Sequence, residues 1–209
     1  MHQVIKYDSN GNELMVLGKE YTPGKDSLHF NLPTDVAVSE NGSFYVSDGY
    51  GNSRIIKFSS EGEYLFEWGV FGENKNEFNI PHGLDLDKNG NVYVADRENN
   101  KIQKFDSLGN FIAEWKNEVI GQLYSVNINH YENYLFGIDY VVSENLNPLG
   151  SDIIKFDLDL NLKTKFGRSG NYKGPKARYH DIQVDNKGNI YVGDILSLIH
   201  IWRCRRQAV

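Results

Sequence analysis

Two histidines at equivalent points of a repeated pattern are the residues of this sequence best placed to do chemistry. His82 occurs in IPHGLDLDKNG, and His180 occurs in RYHDIQVDNKG, 98 residues further along the chain. Both precede an alternating stretch and a turn that ends in glycine. Because neutral imidazole is a frequent zinc ligand, two histidines that recur in this way predict part of a metal site.

The repeat that relates them is clearest in residues 32–68 and 80–115, which match at most positions with an offset of 48 residues. Each unit has an Asn-Gly turn between alternating apolar stretches, which is a strong hairpin signal. The predicted strands are Asp35–Ser39, Phe44–Ser47, Arg54–Phe58 and Tyr64–Trp68, then Leu84–Asp87, Val92–Ala95, Lys101–Phe105 and Phe111–Trp115. Four short strands in each unit of this length are typical of a propeller blade.

Three weaker units extend the pattern. Residues 121–167 form one with an insertion around 145–150, residues 178–194 form the first hairpin of another, and residues 1–18 match the last two strands of a blade. We therefore predict an all-β fold, a partial β-propeller of about four blades within residues 1–195. A six-bladed ring would need about 288 residues at this period, so we expect a fragment that exposes unpaired strand edges.

The end of the chain breaks the pattern. Where the repeat predicts a polar loop and a strand, the sequence reads LSLIHIWRCRRQAV. This stretch resembles translated sequencing-adapter sequence, so we expect residues 196–209 not to be native; the alternative is a divergent final strand with a basic tail. The only cysteine, Cys204, lies in this tail, so the rest of the chain can form no disulfide.

The charge balance argues against nucleic acid as the main partner. The net charge is −6, and without the tail residues Arg203, Arg205 and Arg206 it is −9, from 19 basic and 28 acidic residues. Binding to phosphates needs a basic face. No stretch of the sequence is long and apolar enough to predict a transmembrane helix.

The position of His82 identifies a ring of residues around the predicted axis. In a propeller the first strand of each blade lines the central channel. The equivalent positions hold Thr34, Tyr124 and His180, so histidine recurs on alternate blades. In a six-bladed ring three such histidines would aim at one point, as the ligands of a catalytic zinc do, and the third would lie upstream of Met1. The alternative is two strand histidines that are only packed or hydrogen-bonded.

Two loops lie at the same end of the blades as this ring, because the first and second strands are antiparallel. They contain Tyr50 and Arg97, which do not recur at an equal position. A phenol near a metal can act as a base, and a guanidinium can orient a carboxylate or stabilise an oxyanion. Asp181 could bind a hard cation such as calcium, or be a solvated strand residue. The pairs that recur in both loops are interpreted as scaffold: Asp48 and Asp96, Asn52 and Asn99, Arg54 and Lys101.

The stretches TDVAVSENGSFYVSDGYGNSRIIKFSSEGEYLFEWG and IPHGLDLDKNGNVYVADRENNKIQKF resemble NHL propeller blades. More specifically, they resemble the peptidyl-α-hydroxyglycine α-amidating lyase family, over residues 1–194. This resemblance implies a six-bladed propeller with zinc on three histidines and a nearby structural calcium. It implies a carbon–nitrogen lyase that cleaves peptidyl-α-hydroxyglycine to a peptide amide and glyoxylate, and a fragment that is itself inactive.

By the same resemblance, each candidate residue receives a role. His82 and His180 would be zinc ligands and Asp181 a calcium ligand. Tyr50 would remove the hydroxyl proton, with Arg97 as its partner in the active site. The implied partner is a small-molecule or peptide substrate with an α-hydroxyglycine-like end. The implied full-length protein is a secreted or periplasmic monomer.

Several features depart from the family. The first zinc histidine and an arginine associated with the substrate carboxylate would precede Met1, and Tyr179 replaces a proline. The two disulfides of the animal enzymes are replaced at Asn31, Gly51, Tyr93 and Lys104. Two other functions therefore stay open: a non-catalytic NHL propeller that binds a protein or a glycan, and a calcium-dependent lactonase-like propeller.

Overall fold

The regular structure of this protein consists of β-sheets that follow one another along the chain. A computed structural model describes residues 2–196 and 200–202. Every regular element in those residues is a strand, and no helix among them is long and apolar enough to cross a membrane. The prediction of an all-β fold is confirmed.

The strands group as follows. The first hairpin is β1 (Gln3–Tyr7) with β2 (Glu13–Gly18). Blade I consists of β3 (Asp35–Val38), β4 (Phe44–Asp48), β5 (Arg54–Phe58) and β6 (Tyr64–Trp68). A short parallel pair is formed by β7 (Val70–Phe71) and β8 (Glu77–Phe78). Blade II consists of β9 (Pro81–Leu86), β10 (Val92–Asp96), β11 (Lys101–Phe105) and β12 (Phe111–Lys116).

Two further sheets complete the described part. Blade III consists of β13 (Gly121–Asn129), β14 (Tyr134–Val142), β15 (Pro148–Gly150), β16 (Asp152–Asp157) and β17 (Leu162–Gly167). Blade IV consists of β18 (Tyr179–Val184), β19 (Ile190–Asp194) and β20 (His200–Trp202). The predicted insertion at 145–150 thus contains a short strand, β15, which pairs with the end of β14. Of the tail predicted not to be native, residues 197–199 and 203–209 lie outside the described residues.

Turns between the first two strands of each blade have the conformation that the sequence predicts. Gly42 and Gly90 follow asparagine and adopt φ values of +84° and +79°, which glycine tolerates without steric cost. In blade II the side chain of Asp87 accepts hydrogen bonds from the backbone N–H groups of Asn89 and Asn91, at 2.9 Å each. Such local bonds stabilise the turn and fix the register of the hairpin.

Aromatic side chains pack between adjacent blades. Trp68 at the end of blade I lies against Phe105 of blade II, with ring centroids 5.6 Å apart. Trp115 of blade II lies against Phe156 of blade III in the same way, at 4.8 Å. Both phenylalanines are fully buried. The apolar core therefore consists of layers between blades, which fix the position of each sheet relative to the next.

Side chains of one inner strand also bond to the backbone of the next inner strand. Three such bonds run from Leu84 N–H to Asp35 Oδ2 (2.9 Å), from Ile128 N–H to Asp85 Oδ2 (2.7 Å) and from Val184 N–H to Asn127 Oδ1 (2.8 Å). Burial, and to a lesser degree the charges of Asp181 and Asp85, raise the pKa of Asp35 to about 6. The inner strands β3, β9, β13 and β18 therefore stand side by side around the channel.

A buried network holds the loop that follows the second strand in blade I. Asp48 accepts hydrogen bonds from Asn31 N–H (2.8 Å), Asn52 Nδ2 (2.7 Å) and Arg54 Nε (3.0 Å). The guanidinium of Arg54 donates further bonds to the backbone carbonyls of Lys25, Asp26 and His29. Because Asp48 and Arg54 are fully buried, each satisfies the charge of the other.

Blade II repeats this network. Asp96 accepts from Asn79 N–H (2.7 Å) and Asn99 Nδ2 (2.7 Å), and Lys101 Nζ lies 3.8 Å from it. Lys101 donates to the backbone carbonyls of Glu73 and Asn74, as Arg54 does to the connection before blade I. The interpretation of these recurring residues as scaffold agrees with their contacts.

Candidate functional site

His82 lies at the start of β9, where the blade meets the channel, and its side chain is 6% exposed. Its Nδ1 is 2.7 Å from the backbone carbonyl of Tyr124 in the next blade. A carbonyl oxygen can only accept, so Nδ1 carries the proton and Nε2 keeps its lone pair. The fold thus fixes the tautomer of His82, as a second-shell hydrogen bond does for metal-binding histidines.

The phenol of Tyr50 points at that lone pair. Tyr50 follows β4 in the loop held by Asp48, and its Oη is 3.0 Å from His82 Nε2. The two rings meet edge to face with centroids 5.5 Å apart. Since Nε2 accepts, the Tyr50 hydroxyl donates this hydrogen bond. The tyrosine is 45% exposed, so its oxygen lies at the border between the channel and solvent.

Arg97 adds a guanidinium on the blade II side of the same phenol. Its Nη1 is 3.4 Å from Tyr50 Oη, and its Cζ is 5.2 Å from the centroid of the Tyr50 ring. Glu98 pairs with it at 2.7 Å, and Gln122 donates to the same Glu98 oxygen at 2.7 Å. The charge of Arg97 is therefore largely balanced, and the ion pair fixes the guanidinium beside Tyr50.

His180 lies beside His82 on the next-but-one blade. Their ring centroids are 4.9 Å apart, and the ring of Tyr124 lies 5.3 Å from His82 and 5.1 Å from His180. Burial, followed by the positive charges of His180 and Arg97, lowers the pKa of His82 to about 4. Burial also lowers the pKa of His180. Both imidazoles are therefore neutral at pH 7 and offer nitrogen lone pairs.

Four residues predicted from the sequence thus lie together at the channel: Tyr50, His82, Arg97 and His180.

Comparisons with known proteins identify relatives of this chain. The NHL repeat family matches residues 30–58 and 78–105. The chain is 36% identical over 215 residues to peptidyl-glycine α-amidating monooxygenase A of Xenopus laevis, an alignment that covers 93% of this chain and 21% of the relative. It is 34% identical over 220 residues to peptidyl-α-hydroxyglycine α-amidating lyase 1 of Drosophila melanogaster, which covers 93% of this chain and 39% of that protein.

This chain is a homologue of the peptidyl-α-hydroxyglycine α-amidating lyases. The homology extends over most of the chain, whereas the chain spans between a fifth and two fifths of the length of these two relatives. A solved structure of streptogramin B lyase superposes with a TM-score of 0.53 at 15% identity, covering 98% of this chain and 77% of the other. That likeness concerns the fold, and the prediction of an NHL β-propeller is confirmed.

The donor set of this lyase homologue meets part of what a zinc ion needs. His82 and His180 fit in type, protonation and proximity. A catalytic zinc needs three protein ligands, and residues 2–196 contain no group of three histidine, cysteine or acidic side chains suited to a metal. For a zinc ion the described histidines would supply two ligands, and a third would have to come from elsewhere.

Asp181 follows His180 directly in the chain, and its carboxylate accepts hydrogen bonds from residues of blades III and IV. Its Oδ1 accepts from Ser125 Oγ at 2.9 Å and from Ile182 N–H at 2.8 Å. A calcium ion needs six to eight oxygen ligands. The structure places one carboxylate oxygen pair here, so Asp181 is a single candidate ligand rather than a formed site.

The structure corrects one argument about Tyr50 and Arg97. The repeat pattern predicts unequal positions for these two residues, which is wrong for their backbones. Tyr50 N–H donates to Leu32 O (3.3 Å), and Arg97 N–H donates to Ile80 O (3.0 Å), which is the same bond in successive blades. The two residues occupy equivalent positions, and the one-residue difference in loop length hid this in the alignment.

Sequence reasoning missed two members of the site. Tyr124 was placed only by its repeat position, yet its carbonyl orients His82 and its ring packs on both histidines. Arg178 was not identified, although it lies two residues before His180, directly before β18. Its proximity in sequence to His180 was the only available signal.

A depression of about 460 Å³ opens beside Tyr50. Its lining includes the glycines on either side of Tyr50, Gly49 and Gly51, and the apolar side chains of Phe71 and Ile80. Phe71 is 73% exposed. This space lies next to the phenol and is large enough for the part of a substrate that does not react.

Proposed function

We propose that this chain supplies part of the active site of a lyase that cleaves the C–N bond of a peptidyl-α-hydroxyglycine to a peptide amide and glyoxylate. One observation carries the proposal: the Tyr50 hydroxyl lies 3.0 Å from a buried histidine with a fixed tautomer, at a channel that also holds His180 and Arg97. Relatives over most of the chain are named for this reaction.

The chain's own residues have the following roles in this reaction. Tyr50, once its own phenol proton has been lost, takes the proton of the substrate's hydroxyl group, and the O–H electrons become the second C–O bond of the aldehyde. The C–N bond breaks, and the nitrogen takes this proton from Tyr50 and leaves as the amide, which restores the deprotonated tyrosine. Arg97, held by Glu98, keeps the phenol oxygen in place and stabilises negative charge on it.

His82 and His180 would hold the zinc ion that the family resemblance implies, and zinc on Nε2 of His82 would replace the hydrogen bond that this atom accepts from the Tyr50 hydroxyl. A bound zinc supplies Lewis-acid polarisation of a substrate oxygen. The bond from His82 Nδ1 to the carbonyl of Tyr124 orients Nε2 for a metal and prevents the ring from turning over. The proposal also assigns Asp181 to a calcium ion. A secreted or periplasmic location and a monomeric full-length protein remain predictions.

The decisive experiment measures glyoxylate and amide release by the full-length gene product from a peptidyl-α-hydroxyglycine. Tyr50→Phe should lower kcat by about 100-fold to 10,000-fold, because it removes a group that transfers a proton. Tyr131→Phe is the matched control, since Tyr131 is 76% exposed in the turn after β13 and should leave the rate unchanged. If Tyr50→Phe keeps the wild-type rate, the proposed role of Tyr50 is wrong.

Metal content tests the ligands separately. His82→Gln and His180→Gln should each reduce the zinc bound per chain after dialysis, whereas His130→Gln, a change at an exposed residue, should not. Asp181→Asn should reduce bound calcium, with the exposed Asp159→Asn as the control. Wild-type protein that binds no zinc would contradict the zinc assignment.

A further inference from the structure

Arg178 occupies a position that carries asparagine in blades I and II. Its backbone N–H donates to Asp194 Oδ1 (3.0 Å), and its carbonyl accepts from Ile195 N–H (3.0 Å). In blades I and II the same two bonds are made by Asn31 and by Asn79. The scaffold of blade IV therefore places a guanidinium where blades I and II have the short neutral side chain of asparagine.

The guanidinium of Arg178 and the histidine pair contact the same side chain, Tyr124. One Nη2–H donates to the Tyr124 hydroxyl, which itself donates to Gln122 Oε1 at 2.9 Å. The Cζ atom lies 4.7 Å from the centroid of the Tyr140 ring and 5.6 Å from that of Tyr124. The aromatic rings hold the planar group in one orientation without neutralising its charge.

The charge of Arg178 is not balanced within the described residues. The other site arginine, Arg97, has Glu98 at 2.7 Å, and the scaffold Arg54 has Asp48 at 3.0 Å. In residues 2–196 no carboxylate lies within 4 Å of the Arg178 guanidinium, and its buried Nε–H has no hydrogen-bond acceptor. Buried donors of this kind are rare, and an anion would satisfy them.

We infer that Arg178 is a carboxylate-binding group of this channel, in addition to the arginine that the family resemblance places upstream of Met1, and that it takes the carboxylate of the α-hydroxyglycine end of the substrate. This inference rests on the proposed function and adds a residue that neither the repeat pattern nor the family resemblance assigns. Arg97 is already paired with Glu98, so it acts on Tyr50, while Arg178 anchors the substrate. An arginine fork can hold a carboxylate with two parallel hydrogen bonds, which also orients the adjacent carbon.

A binding experiment tests the inference without catalysis. Hippurate carries the same carboxylate as an acyl-α-hydroxyglycine but lacks the reacting hydroxyl group. Its Kd for the full-length gene product, measured by calorimetry, should rise about 10-fold to 100-fold in Arg178→Gln. Arg178→Lys should recover part of the affinity, because it keeps the charge and loses the fork. Arg168→Gln is the matched control, since that arginine stacks on Tyr172.

A kinetic experiment separates this inference from the proposed function. Benzoyl-α-hydroxyglycine and its carboxamide both release benzamide, and only the first has a carboxylate. Arg178→Gln should raise KM about 10-fold to 100-fold for the carboxylate and leave KM for the carboxamide unchanged. Wild-type protein that cleaves neither compound would contradict the proposed function, and hippurate binding would then decide the role of Arg178.

Two results would overturn the inference. One is a hippurate Kd that is equal in wild type and Arg178→Gln, with thermal melting showing that the variant is folded. The other is an equal rise in KM for the carboxylate and the carboxamide, which would indicate a structural effect through Tyr124.

Discussion

Blades I and II make the same hydrogen bonds around their loops but present different side chains to the channel. Asp48 in one and Asp96 in the other tie the preceding connection, an asparagine and a basic residue into one buried network. At three equivalent positions the blades differ: Thr34 and His82, Tyr50 and Arg97, Gly51 and Glu98.

The difference shows how a repeated scaffold can carry an unrepeated site. The network fixes the backbone at each loop, so a side chain can change there without loss of the fold. The Thr34 hydroxyl is hydrogen-bonded to Ser47 within blade I and to Pro81 O of blade II. The second bond connects the two blades. His82 connects blade II to blade III in an equivalent way, because its Nδ1–H donates to Tyr124 O. Its second ring nitrogen, Nε2, remains available for chemistry.

The largest expected effect comes from breaking the network in blade I. Asp48→Ala should lower the free energy of unfolding by about 3–5 kcal/mol, because it removes the buried one of the two carboxylates that pair with the fully buried Arg54 and leaves only the partly exposed Glu67. Asp96→Ala should cost less, since Lys101 Nζ is 3.8 Å from Asp96 and an ammonium group can lose its proton. Urea denaturation of both variants measures the difference. An equal loss in the two blades would contradict the role given to the arginine.

Exchanging the channel residue between the blades should affect activity more than stability. His82→Thr gives blade II the residue of blade I, and we expect glyoxylate release by the full-length gene product to fall about 100-fold or more. The free energy of unfolding should fall by about 1–2 kcal/mol, the usual cost of changing a buried hydrogen-bonded side chain. Thr34→Ser is the control and should keep full activity. Activity retained by His82→Thr would remove this histidine from the mechanism.

A smaller effect is expected where blade I has glycine and blade II has Glu98. A Cβ at Gly51 would overlap the side-chain amide of Asn31, so Gly51→Ala should destabilise the protein by about 1–2 kcal/mol. The double variant Asn31→Ala with Gly51→Ala should recover most of this loss, because the amide is gone. Thermal melting of the wild type, the two single variants and the double variant checks the coupling, and additive losses would show that the overlap is not the cause.

The smallest effect is expected at a pair of lysines that the blades share. Lys57 Nζ lies over the Tyr45 ring and donates to Ser107 O, and Lys104 Nζ lies over the Tyr93 ring and donates to Leu158 O. Removing either lysine by substitution with alanine should cost about 0.5–1 kcal/mol, the value of one hydrogen bond. Equal losses in urea denaturation would confirm that the blades are equivalent here, and a loss above about 2 kcal/mol at either lysine would contradict it.

The fold was accessible from the sequence because its signals are local. Asn-Gly turns and alternating residues set the strands of blades I and II, and β5, β6 and β11 have the predicted bounds. Strand β9 begins three residues earlier than predicted, at Pro81, because its first residues pair with the end of β10. The short strand β15 was not predicted, since it pairs with a bulged extension of β14 that follows no repeat.

The site was only partly accessible because its contacts cross between blades. Repeat position alone brought His82 and His180 together, and the loop argument brought Tyr50 and Arg97 to the same end. The balance of charge was hidden: nothing in the sequence shows that Glu98 neutralises Arg97 while Arg178 has no such partner within residues 2–196. Ion pairing depends on side-chain direction, which repeat spacing does not specify.

The side-chain bonds that join the inner strands make the separation of blades observable at single amides. The amides of this kind are Leu84, Ile128 and Val184, each bonded to a carboxylate or an amide oxygen of the preceding blade. Hydrogen exchange at these positions requires two neighbouring blades to part, whereas exchange between strands of one blade requires that sheet to open. The exchange rate of each of these amides therefore reports the separation of one pair of neighbouring blades. The order of the three rates gives the order in which the blades come apart.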